Sequence, residues 1–192
     1  TLARTVLGTL GTLMGSAFLG FMFTQEKMWA RKFWYRFVMV TMYFNAGLIP
    51  WFLTMNNLGL TNNFLAYVVP TIVQPFNIIL VKTYIENIPK ELQEAAEIDG
   101  AGILRVFWQV MLPITKPILA TITIFAAVGQ WNSFQDTLLL MTNEKLFTLQ
   151  FILYRYINQA SSLSALIKNT SSTQMLQSLA TAQTATSVRM TV

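Results

Sequence analysis

Residues 89–113 read P-K-E-L-Q-E-A-A-E-I-D-G-A-G-I-L-R-V-F-W-Q-V-M-L-P, a long polar interruption between two apolar runs. Glu91, Glu94, Glu97 and Asp99, with Glu86 just upstream, are five of the chain's eight carboxylates. Asn87 suits a helix cap and Pro89 a first helical turn, where a missing N–H costs nothing. Glu91 and Glu94 then lie near the positive helix end, where carboxylates are favoured. Leu92, Ala95 and Ala96 recur at i, i+3 and i+4 and share one small, flat face. Asp99-Gly100 is a turn signal, since glycine takes the backbone angles that end a helix. Ile103, Val106, Phe107, Val110 and Met111 form a second helical stripe, which Pro113 is expected to stop. The stretch predicts helix, glycine turn, helix, exposed on one side to something it touches.

The rest of the chain explains why such an elbow stands out. The 192 residues are 54% hydrophobic and only 11% charged, against about 25% charged in soluble domains. Thr5 to Gln25 is uncharged and long enough to cross ~30 Å of hydrocarbon. Phe37 to Val81 is also uncharged, too long for one helix, and is broken by M-N-N-L-G-L-T-N-N at 55–63. Four spans follow, at about 5–25, 37–54, 64–83 and 117–135. Gly11 and Gly15 have the spacing that lets a neighbouring helix come close, or they only reflect how common glycine is in membrane helices.

Charge sets the orientation. Lys27, Arg31, Lys32 and Arg36 gather with Trp29, Trp34 and Tyr35, while the elbow region carries Lys82, Lys90, Arg105 and Lys116. Residues 55–63 carry no basic side chain. The positive-inside rule therefore places residues 27–36 and the elbow on the cytoplasmic side. A net charge of +5 is spread over these loops and makes no nucleic-acid patch.

Several chemistries are excluded. No cysteine and no histidine is present, which removes thiolate chemistry, the commonest metal ligand and the usual general base. No G-x-x-x-x-G-K-[ST] loop is present, so ATP is not expected to bind this chain. The elbow carboxylates have no apolar pocket to shift their pKa. No catalytic residue, cofactor or metal site is expected.

E-A-A-E-I-D-G-A, preceded by I-P-K-E-L-Q and followed by V-M-L-P, resembles the "EAA" signature of binding-protein-dependent ABC importer permeases, in wording closest to the maltose-permease, oligosaccharide type. The resemblance implies an all-α, polytopic membrane helical bundle in the cytoplasmic (inner) membrane. It implies that the loop 86–116 docks on a separate ATPase, with Glu91, Glu94, Ala95, Ala96, Asp99, Gly100 and Ala101 in the docking segment. ATP and Mg would then belong to ATPase subunits. A second, unlike permease subunit, an external solute-binding protein and membrane lipid would complete the assembly. Family members have about six spans against four here, and residue 1 is Thr, so a further helix is expected at each end. The other reading of the elbow is a membrane scaffold that binds a soluble partner and transports nothing.

Candidate path residues come from polar side chains at membrane depth. Asn45, Gln74 and Asn77 sit among Pro50, Pro70 and Pro75. Each proline frees a backbone carbonyl that a neighbouring helix or cavity must satisfy. The amides either line a path or bond helices together. Asp136 is either an ordinary helix-end carboxylate in water or, with Trp131 and Asn132, part of an outer vestibule suited to sugar hydroxyls. Residues 141–188 read as an external loop, with an amphipathic helix over about 149–158 and another near 173–182. Residues 187–190 read as the start of a further span.

Overall fold

The computed structural model describes residues 1–169, and among them every regular element is helical. The all-α expectation holds. The chain divides into two compact units, residues 1–148 and 149–192. Within the second, α10 runs Leu149–Asn169, longer than the expected 149–158; Ser161, Ser162 and Ser164 are held inside it, their hydroxyls donating to carbonyls of the preceding turn. The expected helix near 173–182 and the span beginning at 187–190 lie outside the described residues.

The first unit is built around α1, Leu2–Met22, which lies against α4 (Pro75–Glu86) and α8 (Lys116–Asn132). The glycine spacing is specific packing. A Cβ on Gly15 would sit 2.5 Å from the carbonyl oxygen of Ile72, and one on Gly20 would sit 2.7 Å from the Val81 Cβ. Towards the C-terminal end of α1, Ala17 and Phe21 pack with Val81, Ile85, Val106, Phe107, Met111 and Ile122. A second apolar cluster joins Met55, Ala66, Tyr67, Leu140 and Met141.

The span pattern is partly as expected. Among the described residues, α1 alone is long and apolar enough to cross a membrane, with a mean hydropathy of 1.4; two bent pairs raise the number of described spans to three. The first pair is Phe64–Thr71 with Pro75–Glu86, bent by 41°. Its bend is where Pro75 cannot donate to the carbonyl of Thr71. The Thr12 hydroxyl of α1 donates to that carbonyl instead, at 2.8 Å, as membrane-embedded proline requires.

The second expected span, 37–54, is corrected. Two short helices occupy it, α2 (Arg31–Tyr43) and α3 (Leu48–Asn57). Gly47 takes φ +85°, and its N–H donates to the Asn45 Oδ1 at 2.9 Å, so the apolar run contains a tight turn. Asn45 therefore serves that turn. The loop that follows is as expected, with Asn62 accepting from Thr142 and Asn143 at its tip.

The elbow differs in two details. Asn87 closes α4, donating to the Thr83 carbonyl at 2.8 Å, and does not cap α5 (Glu91–Ile98). Pro113 does not end the second helix. α6 (Ile103–Val106) widens into a π-helical turn at Phe107–Met111 and continues as α7 (Leu112–Ile114). The wide turn accommodates the proline's missing N–H and its ring. The chain then bends by 79° into α8, which is followed by α9 (Gln135–Leu140).

Candidate functional sites at the two ends of α1

At the C-terminal end of α1 lies the elbow. No residue of α5 is buried. Glu91, Glu94, Ala95, Asp99 and Gly100 are exposed, while Ala96 and Ala101 turn inward to pack on the Phe107 cluster. Small residues at 96 and 101 let the helix lie close to the bundle while its other face stays open. Gly100 has φ +80°, a conformation that disfavours any side chain, although open space surrounds it. Ile98 is 85% exposed, the most open large apolar side chain on α5.

The elbow is tied back to the loop after α1. Gln25 and Gln93 exchange amide hydrogen bonds at 3.2 and 2.8 Å. Lys27 reaches Glu97 at 2.8 Å and Lys90 reaches Glu26 at 3.1 Å. The Gln93 amide, then Lys27, hold the Glu97 carboxyl below its usual pKa.

At the N-terminal end of α1, Arg4 is buried at 2% exposure. Its guanidinium pairs with Asp136, donates to Gln130 Oε1 at 3.1 Å and to the Ser133 carbonyl at 3.1 Å, and lies 4.5 Å over the Tyr67 ring. Gln130 spends its other end on the Thr71 hydroxyl at 2.8 Å. Asp136 accepts further from Ser133 Oγ and the Thr137 N–H. Tyr67 donates to the Leu146 carbonyl and shares a hydrogen bond with Thr137. This is a saturated network, in which one buried cation is matched by one carboxylate.

A cavity of about 390 Å³ opens beside it, lined by Arg4, Thr12, Gln74, Asn77, Gln130 and Asp136 among others. Three of the six expected path residues, Gln74, Asn77 and Asp136, thus come together. Asn45, Trp131 and Asn132 are not part of its wall. Asp136 is not a free carboxylate in water, because its side chain is 14% exposed and paired. Sequence reading missed Arg4, Tyr67 and Gln130. The usable signal was Arg4 itself, a charge within helix distance of an apolar span, which asks for a named partner.

Residues 8–184 match the model of a family described as binding-protein-dependent transport system inner membrane component. The chain belongs to this family. Among its relatives, "Protein LplC" of Bacillus subtilis (strain 168) is 35% identical over 161 residues, covering 84% of this chain and 54% of the relative. The "polygalacturonan/rhamnogalacturonan transport system permease protein YtcP" of the same organism is 32% identical over 159 residues, 83% and 56% of the two chains. A chain from the crystal structure of a bacterial ABC transporter involved in the import of the acidic polysaccharide alginate superposes with a TM-score of 0.74 at 31% identity. That match covers 93% of this chain and 62% of the other. The chain spans about half the length of the curated relatives it matches. Membership in this inner-membrane component family agrees with the reading of the elbow motif.

Proposed function

We propose that the complete protein is the membrane-spanning permease subunit of an ATP-binding cassette importer for an oligosaccharide or related sugar. A separate ATPase, carrying ATP and Mg, docks on the elbow. A second, unlike permease subunit completes the path, and an external binding protein delivers the sugar. This chain does no chemistry of its own.

The observation that carries the reading is the open face of α5. Glu91, Glu94, Ala95 and Ile98 stand exposed on a helix whose other side is anchored through Ala96, with Ala101 packing just beyond its end. A partner that moves this helix moves the core cluster beneath it. ATP binding would then bias the bundle between two states, as a switch acting on a bistable element must. The cavity bounded by Gln74 and Asn77 offers amide donors and acceptors, which suit sugar hydroxyls.

The experiment is uptake of labelled oligosaccharides by the complete complex in vesicles, with ATP hydrolysis measured alongside. Glu94→Lys and Gly100→Pro are expected to insert and assemble but to lose the link between hydrolysis and uptake. Uptake at the parent rate in either variant would overturn the assignment of the elbow.

A further inference from the structure

We propose that the loop after α1, through Gln25 and Lys27, is a working part of the coupling element, strapping α5 to the cytoplasmic end of α1 so that the two move as one body. The inference rests on the proposed function and assigns positioning roles to Gln25 and Gln93.

Four observations support it. Gln25 is 4% exposed although it lies in a loop between helices. A buried amide needs partners, and Gln25 finds them on Gln93, 68 positions away, in both directions. Gln93 also donates to Glu97 at 2.9 Å, which sets that carboxylate towards Lys27. Lys90, at the N-cap of α5, and Glu26 bridge the same two segments a turn earlier.

The consequence is directional. α5 has no buried residue of its own, and Ala96, with Ala101 in the turn that follows, gives it only a weak apolar grip on the bundle. The strap adds a polar, geometrically defined grip. It also feeds into α1, whose Phe21 lies in the same core cluster as Phe107, and whose far end holds Arg4. A push on α5 is thus delivered to both ends of the helix at the centre of the bundle. Polar contacts suit this role because they break or hold as units, whereas the flat alanine face could slide.

The test uses the full-length chain assembled with its ATPase and partner permease. Gln25→Cys with Gln93→Cys is bridged by a short bis-methanethiosulfonate reagent, there being no cysteine in this stretch. The unbridged cysteine pair, which lacks both amides, is expected to lose coupling as the alanine pair does, and bridging is expected to bring uptake back towards the parent rate. Gln25→Ala with Gln93→Ala is expected to assemble but to lower sugar moved per ATP hydrolysed by about fivefold or more, the lower end of a typical coupling free energy. The charge swap Lys27→Glu with Glu97→Lys is expected to restore what Lys27→Glu alone loses. No recovery of uptake on bridging, or an unchanged ratio in the alanine pair, overturns the strap and leaves the permease reading intact. A parent complex that binds no ATPase and moves no sugar sinks the permease reading itself, and the strap with it.

Discussion

Arg4 and Asp136, 132 positions apart, form an ion pair that ties the first turn of α1 to the first turn of α9. The guanidinium is almost fully enclosed, so its desolvation is large, and it is offset by contacts to Gln130, Ser133 and the Tyr67 ring. Breaking such a pair by removing one partner costs about 3–5 kcal/mol, whereas replacing both with apolar groups is often neutral. Asp136→Ala should therefore lower the unfolding midpoint of the detergent-purified protein markedly, while Arg4→Met with Asp136→Leu should recover most of the loss. Equal losses in the single and double variants would mean that the pair is not the source.

Thr12 has a single task that can be isolated. Its hydroxyl satisfies the Thr71 carbonyl that Pro75 leaves open. Thr12→Val keeps the shape and orphans the carbonyl, at a cost of about 1–3 kcal/mol. Thr12→Ser should be close to the parent. Thermal unfolding in one detergent distinguishes them.

Gly15 and Gly11 should respond unequally to alanine. At Gly15 the added carbon meets a backbone carbonyl at 2.5 Å, while at Gly11 it meets the Ile72 side chain, at Cγ1, at 3.2 Å. Overpacking typically costs about 1–3 kcal/mol, and only the side chain can move aside. Gly15→Ala should be the more destabilising of the two, by the same unfolding assay.

Glu97 links the elbow to pH. Its carboxyl is held below the ordinary value by Gln93 and Lys27. A lowered folded pKa means that the contact contributes fully above the ordinary carboxylate range and is lost as pH falls through the depressed value. Hydrogen-exchange protection of α5, corrected for intrinsic rates, should drop at acid pH in the parent. In Glu97→Gln it should be flatter across the same range. Superimposable profiles would remove Glu97 from the strap.

Much of this was readable in the chain before any coordinates. The elbow's helix–turn–helix and the turn at Gly100 follow from local spacing, which a linear sequence displays, and Gln74 and Asn77, read as amides at membrane depth, both line the cavity. Proline-freed carbonyls were expected to find help from a neighbour, and Thr71 does. What stayed hidden depends on distant pairs or on small backbone choices. Arg4 drew no reading from the sequence, because its carboxylate lies 132 positions away. The break between α2 and α3 was invisible because Phe44 to Pro50 is apolar on average, and a single Gly47 angle decides it. The π turn before Pro113 was missed because proline reads as a stop when a wider turn can carry the helix through it.

The most direct test is access to the open face of α5. Ile98→Cys is placed in the full-length protein and treated with a membrane-impermeant maleimide, with and without the ATPase subunit. Labelling from the cytoplasmic side only, suppressed by the ATPase, is the predicted result. Labelling from the external side, or labelling that the ATPase leaves unchanged, would contradict a cytoplasmic docking elbow.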